Sequence, residues 1–191
     1  MNKTILALAA AVGLQAAALS ANAAVIGFES LYHDDDQVAD AGYQFVEAGF
    51  QFDNLGLFPF ATYGAQIPEY TGSTALINDN DDGVTTMTRV DGGNFTLLSV
   101  DLSELFLGDM NYSVTFTGLT SLGDAVAQTF TLDGLAGAQT FNFDSSFNHL
   151  SSVGWTNTAA YHQFDNVEVP EPASLALVGL GMVAAVGRRR K

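Results

Sequence analysis

Between residues 25 and 169 almost every apolar run is short and alternates with polar residues, the two-residue period of a strand with one buried face. Tyr112-Ser113-Val114-Thr115-Phe116-Thr117 is the clearest case, with Tyr, Val and Phe on one side and hydroxyls on the other. Residues 125–132, 139–143 and 161–169 repeat the pattern, and 84–90 form a threonine-rich run that includes Arg89. Asp82-Gly83, Asp91-Gly92-Gly93-Asn94 and Asp133-Gly134 punctuate these runs with residues that tolerate positive φ. Only residues 102–107 read as a helical turn, and the region holds no long amphipathic stretch. The pattern predicts an all-β fold, an antiparallel sandwich or jelly roll of roughly nine or ten strands. Phe52-Asp53-Asn54-Leu55 and Phe164-Asp165-Asn166-Val167 echo each other without forming a repeat.

The pattern changes at both ends. Lys3 precedes an apolar run over residues 5–19, which closes on Ala21-Asn22-Ala23 and then Ala24. A lone positive charge, an apolar stretch and an A-x-A site predict a helical secretory signal over residues 1–23, cut by signal peptidase after Ala23. Residues 173–187 form a second apolar run, shorter than the roughly 20 residues that span a bilayer comfortably. Pro170 and Pro172 disfavour helix before it, and Arg188-Arg189-Arg190-Lys191 follows it. Basic flanks stay in the cytoplasm, so the expected arrangement is an exported domain held briefly at the inner membrane by a short transmembrane helix.

Pro170-Glu171-Pro172, the short Leu/Gly/Ala-rich helix and the arginines Arg188, Arg189 and Arg190 together resemble the PEP-CTERM sorting signal of Gram-negative bacteria. That resemblance implies an exosortase that recognises Pro170, Glu171 and Pro172. It also implies export to the cell surface or the extracellular matrix, and association with exopolysaccharide or biofilm. It covers residues 170–191 and is silent on the domain it carries. Residues 24–169 are then one secreted domain of about 146 residues, ample for a full core.

Charge sharpens the picture of that domain. It holds twenty Asp or Glu against a single Arg89, a formal charge of about −19 with histidine neutral. Nucleic acid is excluded as a partner, because a polyanion cannot neutralise phosphate. The chain has no cysteine, which eliminates disulfides, thiolate chemistry and iron–sulfur clusters. Fourteen phenylalanines suit two sheets packed through aromatic rings. The single Trp155 reads either as part of that core or as a platform for sugar stacking.

Gly27-Phe28-Glu29-Ser30 at the start and Phe164-Asp165-Asn166-Val167-Glu168-Val169 at the end of the domain resemble jelly-roll carbohydrate-binding modules. In that family the first and last strands lie together and often share a structural Ca²⁺, which implies Glu29 and Asp165 as ligands. Two acidic runs offer further oxygen donors. Asp34-Asp35-Asp36 follows His33, and Asn78-Asp79-Asn80-Asp81-Asp82-Gly83 begins like a calcium loop, with Asp79 and Asp81 as candidate ligands. Arg89 stands where an EF-hand needs a bidentate Glu, so an EF-hand is rejected. Each acidic run reads equally as a solvated turn.

Catalytic signals are sparse. His33, His149 and His162 are scattered, no G-x-S-x-G occurs, and His162 beside Tyr161 reads as a surface residue. Phe58-Pro59-Phe60-Ala61-Thr62-Tyr63, with Tyr70 beyond it, is aromatic enough to predict a ligand surface of Phe58, Phe60, Tyr63 and Tyr70, or else a satellite cluster of the core. The expected function is a non-enzymatic matrix or surface protein that binds polysaccharide or partner modules, with Ca²⁺ as a structural ion. The alternative is a secreted polysaccharide hydrolase that works with a carboxylate pair.

Overall fold

Strand formation follows the alternation of the sequence wherever that alternation is strong. The computed structural model describes residues 23–107, 112–157 and 161–170, and it builds thirteen strands from them. In chain order they are β1 (Ala23–Ile26), β2 (Val38–Gly42), β3 (Gln44–Glu47), β4 (Phe50–Asn54), β5 (Phe60–Tyr63) and β6 (Leu76–Asn78). There follow β7 (Gly83–Arg89), β8 (Ser99–Glu104), β9 (Ser113–Thr120), β10 (Ala125–Thr131), β11 (Gln139–Asn142), β12 (Leu150–Asn157) and β13 (His162–Pro170). Two antiparallel sheets result. One runs β11-β8-β13-β6-β5-β2 with β1 also beside β13, and the other runs β10-β9-β12-β7-β4-β3. The expected antiparallel sandwich is therefore the observed fold.

Two expectations need correction. The strand count exceeds the nine or ten predicted, because strands such as Leu76-Ile77-Asn78 are only three residues long and wholly buried. Burial on both faces erases the alternation that a reader of the sequence relies on. Residues 102–107 do not form a helical turn, since β8 takes residues up to Glu104 into the ladder. Val100 and Leu102 point inward, and pairing with β11 and β13 outweighs a weak local helical preference.

The inner faces meet through aromatic rings. Phe164 on β13 touches Phe28, Phe52, Phe60 and Trp155 with ring centroids 4.8–6.2 Å apart. Phe116 continues the cluster to Trp155, Phe130 and Phe143. Trp155 is thus part of the core. The echoing Phe52 and Phe164 are facing members of this cluster, one from each sheet.

β13 organises its sheet. It pairs with β8 along one edge, while its other edge is shared by β6 at Gln163 and Phe164 and by β1 at residues 167–170. A bulge between Asp165 and Glu168, with Asn166 at φ 46°, separates the two partners. Ala23 and Pro170 are paired, so both ends of the described domain leave from the same end of the sandwich. The register puts Asn54, Asn78, Gly83, Glu104, Ser113 and His162 at the opposite end. The signal segment with Ala21, and the tail from Glu171 through Arg188, Arg189 and Arg190, lie outside the described residues. No helix among the described residues is long and apolar enough to cross a membrane.

Candidate functional site

The connection from β5 to β6, residues 64–75, forms a strap across the outer face of the β13 sheet. Its start is tied down by backbone: Gly64 N–H donates to Gln37 O, Ala65 N–H to His33 O and Gln66 N–H to Asp35 O. Its middle and end are held by the outward-facing side chains of β13. Gln163 Nε2 donates to Glu69 O at 2.7 Å, and Ser73 Oγ donates to Asp165 Oδ2.

Between the strap and the far end of the sandwich lies an open cleft of about 390 Å³. Pro68, Glu69, Tyr70 and Thr71 form one wall, Glu104, Leu105 and Leu107 another, and Ala136 and Gly137 a third. Tyr32 stands edge-on to Tyr70, with centroids 6.5 Å apart, and is 49% exposed. The cleft is therefore lined by one aromatic ring, aliphatic side walls and the exposed acid Glu69, with the buried Glu104 at its base.

Glu104 is the unusual group. It ends β8 and is only 5% exposed. Its Oε1 accepts the Gly134 N–H at 2.7 Å, yet its Oε2 has no donor among the described residues. Its neighbour across the ladder is His162. A small second pocket, lined by Glu104, Tyr112, Leu132, Tyr161 and His162 among others, lies behind it. His162 corrects the surface reading, for it is 5% exposed and, two residues before Phe164, shares its inward face. Burial drives its pKa down from 6.5 to about 4, so the ring is neutral at pH 7.

The predicted calcium pair is brought together. Gly27 sits between the two acids, such that a Cβ there would lie 3.9 Å from Asp165 Oδ1 and 4.0 Å from Glu29 Cγ. Glu29 accepts from Thr74 N–H at 3.0 Å and Thr74 Oγ1 at 3.3 Å. Asp165 accepts from Ser73 and from the Asn166 N–H, and Asn166 Nδ2 reaches Asp101 at 2.9 Å. Burial raises the pKa of Asp165 to about 6; Ser73 and Asn166 oppose the shift, while Glu29 and Asp101 add to it by repulsion. The donors are all oxygen, as Ca²⁺ requires. Even so, among the described residues no group of three or more His, Asp or Glu side chains is arranged to hold a metal.

The other acidic runs are built differently. In residues 78–83 the asparagines turn inward and the aspartates outward. Asn80 bonds both Phe58 N–H, at 2.6 Å, and Phe58 O, at 2.7 Å, while Asp79 and Asp81 are exposed. This run pins the β4–β5 loop, and it lies apart from Glu29 and Asp165. Asp35 accepts from the Gln37 N–H and pairs with His33 at 2.7 Å, which lowers its pKa and fixes a turn.

The predicted ligand surface divides. Phe60 is fully buried against Phe164 and is a core residue, which corrects its assignment to a surface. Phe58 is exposed on the pinned loop, Tyr63 is half-buried at the end of β5, and Tyr70 lines the cleft. The sequence reading passed over Tyr32, Glu69 and Glu104. Their only signal is a place near strand ends, since the cleft is made of segments distant in sequence.

Residues 168–191 match the model of the PEP-CTERM protein-sorting motif, and the match begins within β13. No curated protein matches the sequence. Among solved structures, a family 29 carbohydrate-binding module is 12% identical, with a TM-score of 0.42 over 78% of this chain and 87% of that one. A family 29 module from Piromyces equi is 12% identical, with a TM-score of 0.41 over 79% and 91%. The family 11 module of a cellulosomal cellulase of Clostridium thermocellum is 10% identical, with a TM-score of 0.33 over 73% and 97%. The C-terminal segment is a PEP-CTERM sorting motif, which marks an exported protein sorted at the membrane.

Proposed function

We propose that this protein is an exosortase-sorted surface or matrix protein that binds polysaccharide non-catalytically in the cleft beneath the strap. The observation that carries the reading is one open cleft that joins the Tyr70 ring, the aliphatic Leu105 and Leu107 and the exposed acid Glu69. A pyranose offers an apolar ring face and a rim of hydroxyls, and such a cleft complements both. The cleft lies at the end of the sandwich opposite Ala23 and Pro170, so a domain tethered through its tail turns it away from the membrane. Signal peptidase would act earlier, at Ala23, with the apolar run of residues 173–187 as a transient anchor.

The full-length protein is expected to bind a subset of a glycan array. Tyr70→Ala should weaken that binding about tenfold, in line with the loss of one stacking platform. Unchanged binding by Tyr70→Ala would place the ligand elsewhere, and a blank array would end the proposal.

Calcium is proposed only as relief for Glu29, Asp101 and Asp165, whose mutual repulsion nothing cationic offsets among the described residues. Bound to Glu29 and Asp165 it would tie the strap to the first and last strands. Adding Ca²⁺ should raise the melting temperature by a few degrees and chelator should reverse the gain, roughly 1–2 kcal/mol of linkage. A melting temperature indifferent to both would remove the ion from the account.

A second reading is favoured by Glu69 and Glu104 lining the same cleft. Glycosidases use two carboxylates about 5–10 Å apart. Release of reducing ends from a bound polysaccharide, lost in Glu104→Gln, would establish hydrolysis in place of simple binding.

A further inference from the structure

We infer that this domain self-associates through the open edge of β10, which pairs with the same strand of a second copy so that two sheets become one. The inference is independent of sugar binding in the cleft. β10 is the last strand of its sheet, with β9 on one side and no strand on the other among the described residues. Its seven residues, Ala125-Val126-Ala127-Gln128-Thr129-Phe130-Thr131, carry no charge and no proline, in a domain with twenty acids. Leu132 N–H donates to Tyr112 O, and Thr120 N–H to Asp124 O. Even-numbered residues therefore bond β9, while Ala125, Ala127, Thr129 and Thr131 turn their N–H and C=O groups outward. A row of free backbone groups on a regular, uncharged strand is a template for another strand.

The other strands at the margins of the sheets are blunted. β1, β3 and β11 have only four residues each, and Asn142 O on β11 already accepts from Gln128 Nε2 at 3.0 Å. β3 ends on Glu47, which shares the inward face of Phe45 and buries a carboxylate oxygen there. β2 carries Asp40 and an irregular register between Asp40 and Gly42. Short length, inward charge and bulges are the usual defences of a sheet edge, and β10 has none of them.

A second copy is the occupant that fits. In an antiparallel pair centred on Gln128, Ala127 of one copy opposes Thr129 of the other, and Ala125 opposes Thr131. All four outward residues then bond, roughly eight backbone hydrogen bonds in total. Small residues meet β-branched ones on the outer face, and Val126 meets Phe130 on the inner face. A folded copy brings this edge already ordered, whereas a foreign segment has to be ordered first. The two-fold axis reverses the strand direction, so the ends marked by Ala23 and Pro170 point opposite ways. Such a pair joins molecules held on two facing surfaces.

The test exploits the absence of cysteine from the chain. In the full-length protein in mild detergent, Gln128→Cys should give a disulfide-linked dimer on gentle oxidation. Residues opposed in this way have Cα atoms roughly 4.5 Å apart, within disulfide reach. Thr117→Cys, exposed on the neighbouring β9, should stay monomeric. Sedimentation of the unaltered protein should show a concentration-dependent dimer that strengthens as salt rises, because Asp124 of one copy comes beside Asp133 of the other. Thr129→Pro removes an N–H that does not bond β9, and Ala127→Asp adds acids near the centre of the pair. Each should weaken dimerisation at least about tenfold. Ala127 is exposed, so its variant reports even if the proline is not tolerated. A monomer at every concentration overturns the inference, as does equal cross-linking at positions 117 and 128. A dimer untouched by both edge variants also overturns it, and places the contact elsewhere on the chain.

Discussion

Phe164→Ala should be among the most damaging single changes in this protein, lowering stability by about 3–5 kcal/mol. The ring is buried, and it is the point where Phe28, Phe52, Phe60 and Trp155 converge from both sheets. Five rings in mutual contact, with Phe28, Phe60 and Trp155 edge to face with Phe164, leave little scope for collapse into the vacated volume, so most of the cavity cost remains. For a domain of this size the melting temperature should fall by roughly 10–15 °C. Phe58→Ala is the matched control, because that ring is 59% exposed and should cost within about 0.5 kcal/mol. Denaturant midpoints of the two variants decide the matter. Comparable losses would mean that the exposed phenylalanine is packed against something the fold does not show.

Asp165→Asn and His162→Gln should pull the acid stability profile in opposite directions. Burial raises Asp165 from 3.8 to about 6, so the folded chain holds that proton more tightly than the unfolded one. Its contribution is complete below pH 3.8 and disappears as pH rises through about 6. Burial lowers His162 from 6.5 to about 4, so the folded chain resists that proton. Its contribution is intact above pH 6.5 and disappears as pH falls toward 4. The two windows overlap and the signs oppose. Each amounts to something on the order of 2–3 kcal/mol, with Asp165 at the lower end because Ser73 and Asn166 favour its charged form.

The groups facing these two are accounted for. Glu29 and Asp101 sit near Asp165, and Glu104 is paired with His162. Asp35, Asp91 and Asp144 are lowered by their partners and exert their effect mainly below this range. Between pH 7.5 and 4.5 the wild type should therefore change little on account of this pair. Asp165→Asn should lose stability on acidification, and His162→Gln should gain it. The slope, and not the starting stability, is the measurement. A parallel profile in both variants would show that neither group titrates as its burial requires.

The legible part of this molecule was its second half. β9, β10, β12 and β13 have seven to nine residues each, long enough for period-2 alternation to stand out. β3, β5 and β6 have three or four, and their pattern is shorter than the noise of any sequence. The aromatic run at 58–63 was visible as unusual, yet nothing local separates Phe60, which faces Phe164, from Phe58, which faces solvent. Asp79 and Asp81 drew the eye because carboxylates suggest cations, while the structural role fell to the adjoining Asn78 and Asn80. The cleft was hidden for a different reason. Tyr70, Glu104 and Ala136 are about 30 residues apart in succession, and only the pairing of β8 with β11 and β13 assembles them. His162 misled because a histidine carries no mark of burial apart from its phase relative to Phe164.

The position of β13 also governs how this domain can fold. It lies between β8 on one edge and β6 with β1 on the other, and every other strand precedes it in the chain. The sheet that carries the cleft thus cannot close until its last strand arrives, and the first strand waits for the same partner. Loop closure on this scale makes for high contact order and a slow final step. Meanwhile the six-stranded partner sheet, whose order β10-β9-β12-β7-β4-β3 needs nothing from β13, is free to form first. Assembly is therefore expected in two stages, a template sheet followed by a closing one, with β13 as the latch that fixes the strap, the cleft and the exit of the tail together.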